Sequence, residues 1–98
     1  MYINGFIQGA SLSILVDTGS STNLLSEDLV KKLGLEREVE NGTFRLVGVT
    51  GAPLQTLGIV RKLPISINNI QLESDFIVSN MANESCILGQ AFMEDLSL

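Results

Sequence analysis

A chain of 98 residues makes one small domain, and 45% hydrophobic against 17% charged residues excludes a disordered or collagen-like polymer. Six Lys and Arg against eleven Asp and Glu give a net charge of -5, with no basic cluster interleaved with aromatics, which excludes a nucleic-acid surface. The lack of histidine and the single cysteine, Cys86, exclude an internal disulfide and any imidazole-assisted nucleophile, and argue against a metal site; no cofactor is implied.

At the N-terminus, "YINGFIQ" (residues 2–8) and "SLSILV" (11–16) read as two short strands joined by a tight turn at Gly9-Ala10. In the second, Leu12, Ile14 and Val16 share one face and Ser11, Ser13 and Leu15 the other, the period of a half-buried strand. Asp17 follows directly, ahead of the turn residues Thr-Gly-Ser-Ser, and a charge at the end of a buried strand is costly unless it has a task.

Next, "SEDLVKKLGL" carries the marks of a short helix: Ser26 as N-cap, Glu27 and Asp28 in the first turn, Lys31 and Lys32 in the last, and Gly34 just past the end. The charged "EREVENGT" with Asn41-Gly42 reads as a solvated loop. From Phe44 to Val60 strand-like ends flank Gly48, Gly51 and Pro53, which predicts a long hairpin with a pliable tip. "LPISINNIQLESDFIV" predicts two strands hinged at Asn68-Asn69, with Ile65, Ile67, Ile70 and Leu72 facing the core. "CILGQAFMEDLSL" adds an apolar run, a glycine and a helical turn or two. Many short strands with one or two short helices predict a mostly-β domain, a closed barrel or a sandwich, over residues 1–98.

A lone carboxylate is half of an acid-base machine, because hydrolysing a peptide needs one group to take a proton from water and another to give one. Two carboxylates held close share one proton and divide these roles, as the aspartic-protease dyad does. A two-fold homodimer would bring Asp17 of one subunit to Asp17 of the other.

"LVDTGSS" followed by "TNLLS" resembles the active-site motif of the retropepsin-like aspartic proteases, the single-lobe family of retroviruses, retrotransposons and some cellular proteins. The resemblance extends along nearly the whole chain, through the glycine-bearing "LVGVTGAPLQTLG" to the apolar-apolar-Gly signature at Ile87-Leu88-Gly89. It implies a single-lobe closed β-barrel with a flap hairpin, working as one half of a homodimeric aspartic endopeptidase. The substrate would be an extended peptide or a polyprotein to be processed. Asp17 would be catalytic, Thr18 would brace the dyad across the two-fold axis, and Gly19 would leave room for carboxylates and substrate. Ser20 would donate its hydroxyl to Asp17. Ser21, the flap residues Val47, Gly48, Val49, Thr50 and Gly51, and Ile87 would contact substrate, with Leu24 and Leu25 packed beneath the site.

The chain departs from the viral pattern in having Ser21, Thr22 and Gln90 where viral members often place acidic residues and an arginine that pair, and it lacks a C-terminal interleaving strand. Dimerisation through another surface, or a chain that ends early, would each accommodate this. The alternative function is a non-catalytic module of the same fold that dimerises or binds peptides. Taken singly, Asp17 would also serve as a turn cap, Gly48 and Gly51 as parts of an ordinary hairpin, and Cys86 as a small buried apolar residue. Asn83-Glu84-Ser85 fits a glycosylation pattern, but the N-terminus has no positively charged start before an apolar core, so the pattern reads as coincidence. No apolar run approaches the roughly 20 residues of a membrane span. These features predict an intracellular, cytoplasmic setting with no membrane partner, and Met1 is compatible with a start inside a larger polyprotein.

Overall fold

The computed structural model describes residues 1–42, 55–81 and 83–95. The first two strands, β1 (Tyr2–Ile7) and β2 (Ala10–Val16), form an antiparallel hairpin in which Tyr2 faces Leu15 and Ile7 faces Ala10. Its turn is Gln8-Gly9, one residue earlier than the sequence suggests. Both residues have positive φ, 54° and 77°, the twist that a two-residue hairpin demands, and glycine meets it without strain.

After β2 the chain passes through residues 17–23 to β3 (Leu24–Ser26) and helix α1 (Glu27–Lys32). Ser26 caps this helix as its pattern predicts, its Oγ accepting the Leu29 N–H at 3.2 Å, and Gly34 follows at φ 70°. The segment read as a solvated loop is instead a short 3₁₀ turn (Glu36–Glu38) and a three-residue edge strand, β4 (Val39–Asn41), paired antiparallel with β5. Its charges stay in solvent because an edge strand buries little.

Strand β5 (Thr56–Ile67) runs antiparallel to β6 (Ile70–Ser79). They are joined at Asn68-Asn69 as predicted, again with two positive φ values, 51° and 66°. Ile65 is buried and Ile67 and Leu72 are partly so, but Ile70 lies 56% exposed. It keeps the face of Leu72, but it pairs with Ile67 as the last pair of the ladder before the turn, at the rim of the barrel. A register shift between Val60 and Leu63 marks a bulge, where Lys62 takes φ 51° and its N–H donates to Asp75 Oδ1 at 2.8 Å. A bulge bends a strand, and here it helps β5 serve β4 at one end and β1 at the other.

The final elements are β7 (Cys86–Leu88) and α2 (Gln90–Asp95). The strand order β1-β2-β7-β3-β6-β5 closes through a β1–β5 contact at Phe6 and Ser66, making a six-stranded barrel with β4 appended to β5. Closure removes the edges that a flat sheet of these strands would expose. The interior holds Ile7, Ile14, Leu25, Val60, Ile65, Phe76, Val78 and Leu88 in one cluster, with Leu29 and Val30 of α1 and Phe92 of α2 packed against it. Each such side chain, fully buried, contributes about 1.5–3 kcal/mol before the entropic cost of ordering it. The architecture is the mostly-β closed barrel that the family resemblance implies, one of the two that the strand pattern allows.

One feature of the topology sets up the site. β7 lies between β2 and β3, parallel to β2 and antiparallel to β3, with Ile87 opposite both Leu15 and Leu24. The chain therefore leaves the end of β2, loops around the end of β7, and returns on its far side.

Candidate active site

The loop that straddles β7 is the Asp17-Thr18-Gly19-Ser20 segment. Asp17 sits immediately past β2, and its own N–H donates to the Leu88 carbonyl at 2.9 Å, extending the β2–β7 ladder by one bond. The chain then turns sharply: the Ser20 N–H donates to the Asp17 carbonyl at 3.1 Å, and the Gly19 N–H donates to Asp17 Oδ1 at 2.9 Å. The second bond fixes the carboxylate's orientation. A Cβ on Gly19 would lie 3.1 Å from the same oxygen, crowding the carboxylate, which is the tight approach expected at this position.

Asp17, Thr18 and Gly19 are exposed, whereas Ser20 and Asn23 are buried at 2% and 0% exposure. The expected donation from Ser20 to Asp17 is not made. The Ser20 hydroxyl donates instead to the Thr22 carbonyl at 2.8 Å, and a hydroxyl has only one proton to give. Its contribution is to shape the loop from within. Ser21 is exposed beside Thr22, with the two hydroxyl oxygens 3.5 Å apart.

A residue that sequence reasoning passed over organises the underside. Asn23 accepts the Gly89 N–H on its side-chain oxygen at 2.9 Å, donates from Nδ2 to the Asp75 carbonyl at 3.2 Å, and accepts the Ile77 N–H on its backbone carbonyl at 2.9 Å. One buried side chain thus joins the loop to β6 and to the end of β7. Leaving those partners unpaired would cost about 1–3 kcal/mol for each buried group. The signal was an amide directly before the apolar Leu24-Leu25, where a buried polar side chain needs partners to be tolerated.

Gly89 completes the closure. A Cβ there would meet the Ser20 and Thr22 carbonyl oxygens at 2.5 and 2.6 Å, distances that no side chain can occupy without moving backbone. Glycine is required because β7's end presses directly against the loop. Leu24 and Leu25 are 1% and 0% exposed beneath it, in the place expected of them.

Beside the loop, Leu15 and Ile87 stand on neighbouring strands, with Ile87 half-buried. They share the lining of a cavity of about 310 Å³ with Tyr2, Ser13, Met81 and Cys86. Burial pushes the Cys86 thiol up to about 12, so it behaves as a small apolar wall residue, not as a nucleophile. The flap residues Val47, Gly48, Val49, Thr50 and Gly51 lie outside the described residues. Among the described residues no helix is long and apolar enough to cross a membrane.

An exposed, N–H-bound aspartate on an Asp-Thr-Gly loop, pinned by an apolar-apolar-Gly strand in a closed β-barrel, defines the class of single-lobe acid-protease domains. The family described as "gag-polyprotein putative aspartyl protease" matches residues 3–95, and the chain belongs to that family. Over 92 residues, 91% of this chain, it is 27% identical to DNA damage-inducible protein 1 of Neurospora crassa and 28% identical to the UBA domain-containing protein Mud1 of Schizosaccharomyces pombe. It spans 20% and 26% of the length of these curated relatives.

Among solved structures, the retroviral protease-like domain of Ddi1 from Leishmania major superposes with a TM-score of 0.78 at 18% identity, over 96% of this chain and 74% of that one. The EIAV protease complexed with the inhibitor HBY-793 gives 0.73 at 20% identity, over 99% and 88%. A retropepsin-like aspartic protease from Rickettsia conorii gives 0.70 at 20% identity, over 96% and 77%. At these identities the likeness is one of fold, the retropepsin-like aspartic protease fold.

Proposed function

We propose that residues 1–98 are the protomer of a homodimeric aspartic endopeptidase. The observation that carries this reading is the placement of Asp17. Its carboxylate is exposed to solvent yet held by the Gly19 N–H at 2.9 Å, on a loop that is otherwise clamped from below. A turn cap would make the same bond, so the reading is supported by the setting: the loop is clamped by Gly89 and Asn23 while the Asp17 side chain stays exposed. Here it is oriented and offered outward, where a second Asp17 across a two-fold axis can meet it.

Two such carboxylates cannot both ionise easily at short range, so they share one proton. The ionised one takes a proton from a water lying between them as that water attacks the substrate's carbonyl carbon; the protonated one gives its proton to the carbonyl oxygen. The resulting tetrahedral gem-diol collapses when the amide nitrogen is protonated, breaking the C–N bond and releasing two peptides. Thr18, next in the loop and exposed, is assigned to brace the pair across the axis. Gly19 is assigned to leave space for the substrate backbone, and Ser20 to hold the loop's shape through Thr22. Ser21, Ile87 and the cavity beside Ile87 are assigned to substrate side chains, and Val47, Gly48, Val49, Thr50 and Gly51 to a flap over the extended substrate. The natural substrate proposed is a polyprotein, a setting supported by the family's own description.

Cleavage of extended peptides between pH 3 and 7 by wild type and by Asp17→Asn, with dimerisation measured at the same concentrations, tests the proposal. The asparagine variant should fold and lose about 10³-fold or more in kcat/KM, since it cannot act as a base. Cleavage that persists in it would refute the mechanism. A wild type that dimerises and cleaves nothing would identify the domain as a binding module of the same fold.

A further inference from the structure

The loop carrying Asp17 is tied to α2 by two bonds from a single residue. The Gln90 N–H donates to the Ser20 carbonyl at 2.8 Å, and the Gln90 side chain donates from Nε2 to the Thr18 carbonyl at 2.9 Å. With Asp17 N–H on the Leu88 carbonyl and Gly89 N–H on Asn23 Oδ1, the strip Leu88-Gly89-Gln90 touches the loop at four points. Three of these are backbone ties or deeply buried. The fourth, the Gln90 side chain, is exposed, and it holds the Thr18–Gly19 peptide, whose N–H donates to Asp17 Oδ1.

All four ties are made by uncharged groups. The ion pairs found among the described residues, Lys32 with Glu84 and Arg61 with Glu40 and Asp75, involve neither the loop nor α2. The titratable residues of the segments meeting here are Asp17 on the loop, Cys86 on β7, Glu94 and Asp95 on α2, and Glu73 and Asp75 on β6, the last accepting the Lys62 N–H and lying 3.8 Å from Arg61. None of the four ties uses a side-chain proton that acid would add or remove. A carboxylamide neither gains nor loses a proton across the range in which a carboxylate dyad shares one.

We infer that Gln90 is a positioning residue, whose neutral side-chain amide fixes the Thr18 peptide so that the geometry at Asp17 persists through the acidic range. The inference rests on the protease reading for its catalytic consequence, but not for the brace itself. An ion-paired brace at this place would loosen as its carboxylate protonated; an amide-to-carbonyl brace does not.

Gln90→Glu converts the pH-insensitive tie into a pH-sensitive one. When protonated, the new carboxyl can still donate to the Thr18 carbonyl. When ionised it can only accept, and two oxygens face each other. The facing carbonyl therefore raises its folded-state pKa above the ordinary value of about 4.3, outweighing the weak preference of the short α2 for a negative charge at its start. At pH values below both, the variant and wild type match; as pH rises through the folded pKa, the variant alone loses stability.

Thermal unfolding and peptide cleavage by wild type, Gln90→Glu and Gln90→Met from about pH 3.5 to 7 decide the matter. The glutamate variant should unfold with wild type at the acid end and at progressively lower temperature toward neutrality, its kcat/KM falling about tenfold against wild type over the same range. The methionine variant, which cannot donate, should lose a similar factor at every pH. A glutamate variant that parallels wild type in unfolding across the range would overturn the inference. Should wild type cleave nothing, the protease reading falls, and the unfolding curves still decide whether Gln90 braces the loop.

Discussion

The two ends of the barrel are held together in different ways. At the end where β1 turns into β2 and β5 into β6, each connection is two residues long, Gln8-Gly9 and Asn68-Asn69, and all four residues adopt positive φ. These turns join neighbours in sequence and leave Phe6 and Ile70 51% and 56% exposed nearby. At the Asp17 end the ties cross the chain: Gly89 to Asn23 spans 66 positions and Gln90 to Thr18 spans 72. A local turn fixes only its own hairpin, whereas a long-range tie holds only when both of its segments are already in place. The hairpin end should therefore tolerate change, and the site end should respond to any change as a unit.

Gly89→Ala should strain that contrast most. Its new methyl would sit 2.5 Å from the Ser20 carbonyl oxygen and 2.6 Å from that of Thr22, so the loop must back away from β7. A destabilisation of about 3 kcal/mol is expected from overpacking of this kind, read as a lowered denaturation midpoint with an unchanged m-value. Cleavage should fall further than the unfolded fraction explains, since the displaced loop carries Asp17. A variant with wild-type stability would show that the loop yields freely and that the clamp is loose.

Ser20→Ala is milder and sharper in what it separates. The hydroxyl is buried and donates to the Thr22 carbonyl at 2.8 Å, so its loss should cost about 1 kcal/mol. Because that proton is committed to Thr22, the acidic limb of the pH-rate profile should stay where it is in wild type. A displaced limb would mean that the hydroxyl turns toward Asp17 when two protomers meet, and would restore the role that the sequence motif suggests for it.

The same contrast explains what could be read without coordinates. The Ser26 cap, the Asn68-Asn69 turn and the alternation of "SLSILV" are local signals, in which residue type and immediate neighbours decide the conformation, and each was legible. Asp17, Thr18 and Gly19 stood out through one motif and Ile87 through another, each contiguous in the sequence. Asn23 did not, because its partners Gly89, Asp75 and Ile77 are brought to it only by the barrel. Gln90 is visible in the sequence only as a departure from a charged pattern; its tie to the Thr18 carbonyl, 2.9 Å away, is set by the barrel. Strand β4 was hidden by its charges, since composition alone cannot distinguish a solvated loop from a short edge strand. Alternation gives Ile70 the face it shares with Leu72, but it does not reveal that the last pair before a turn lies exposed at the rim.

The smallest effect tests the tolerant end. Asn69 occupies the second position of the β5–β6 turn at φ 66°, where glycine is the residue that two-residue hairpins favour. Asn69→Gly removes the residual strain of a side chain in the left-handed region, and gives back part of the gain because glycine frees the unfolded chain. The balance should be a stabilisation of about 0.5 kcal/mol, a rise of roughly 3 °C in Tm for a domain of this size. Cleavage should not change, since among the described residues no hydrogen bond joins Asn68-Asn69 to the loop's Asp17-Thr18-Gly19-Ser20 or to Leu88-Gly89-Gln90. A rise in Tm accompanied by altered cleavage would show that strain at the hairpin end reaches Asp17, most directly through β6, whose Asp75 carbonyl and Ile77 N–H both bind Asn23. The barrel's two ends would then be one cooperative unit, and the separation between a tolerant end and a clamped one would fail.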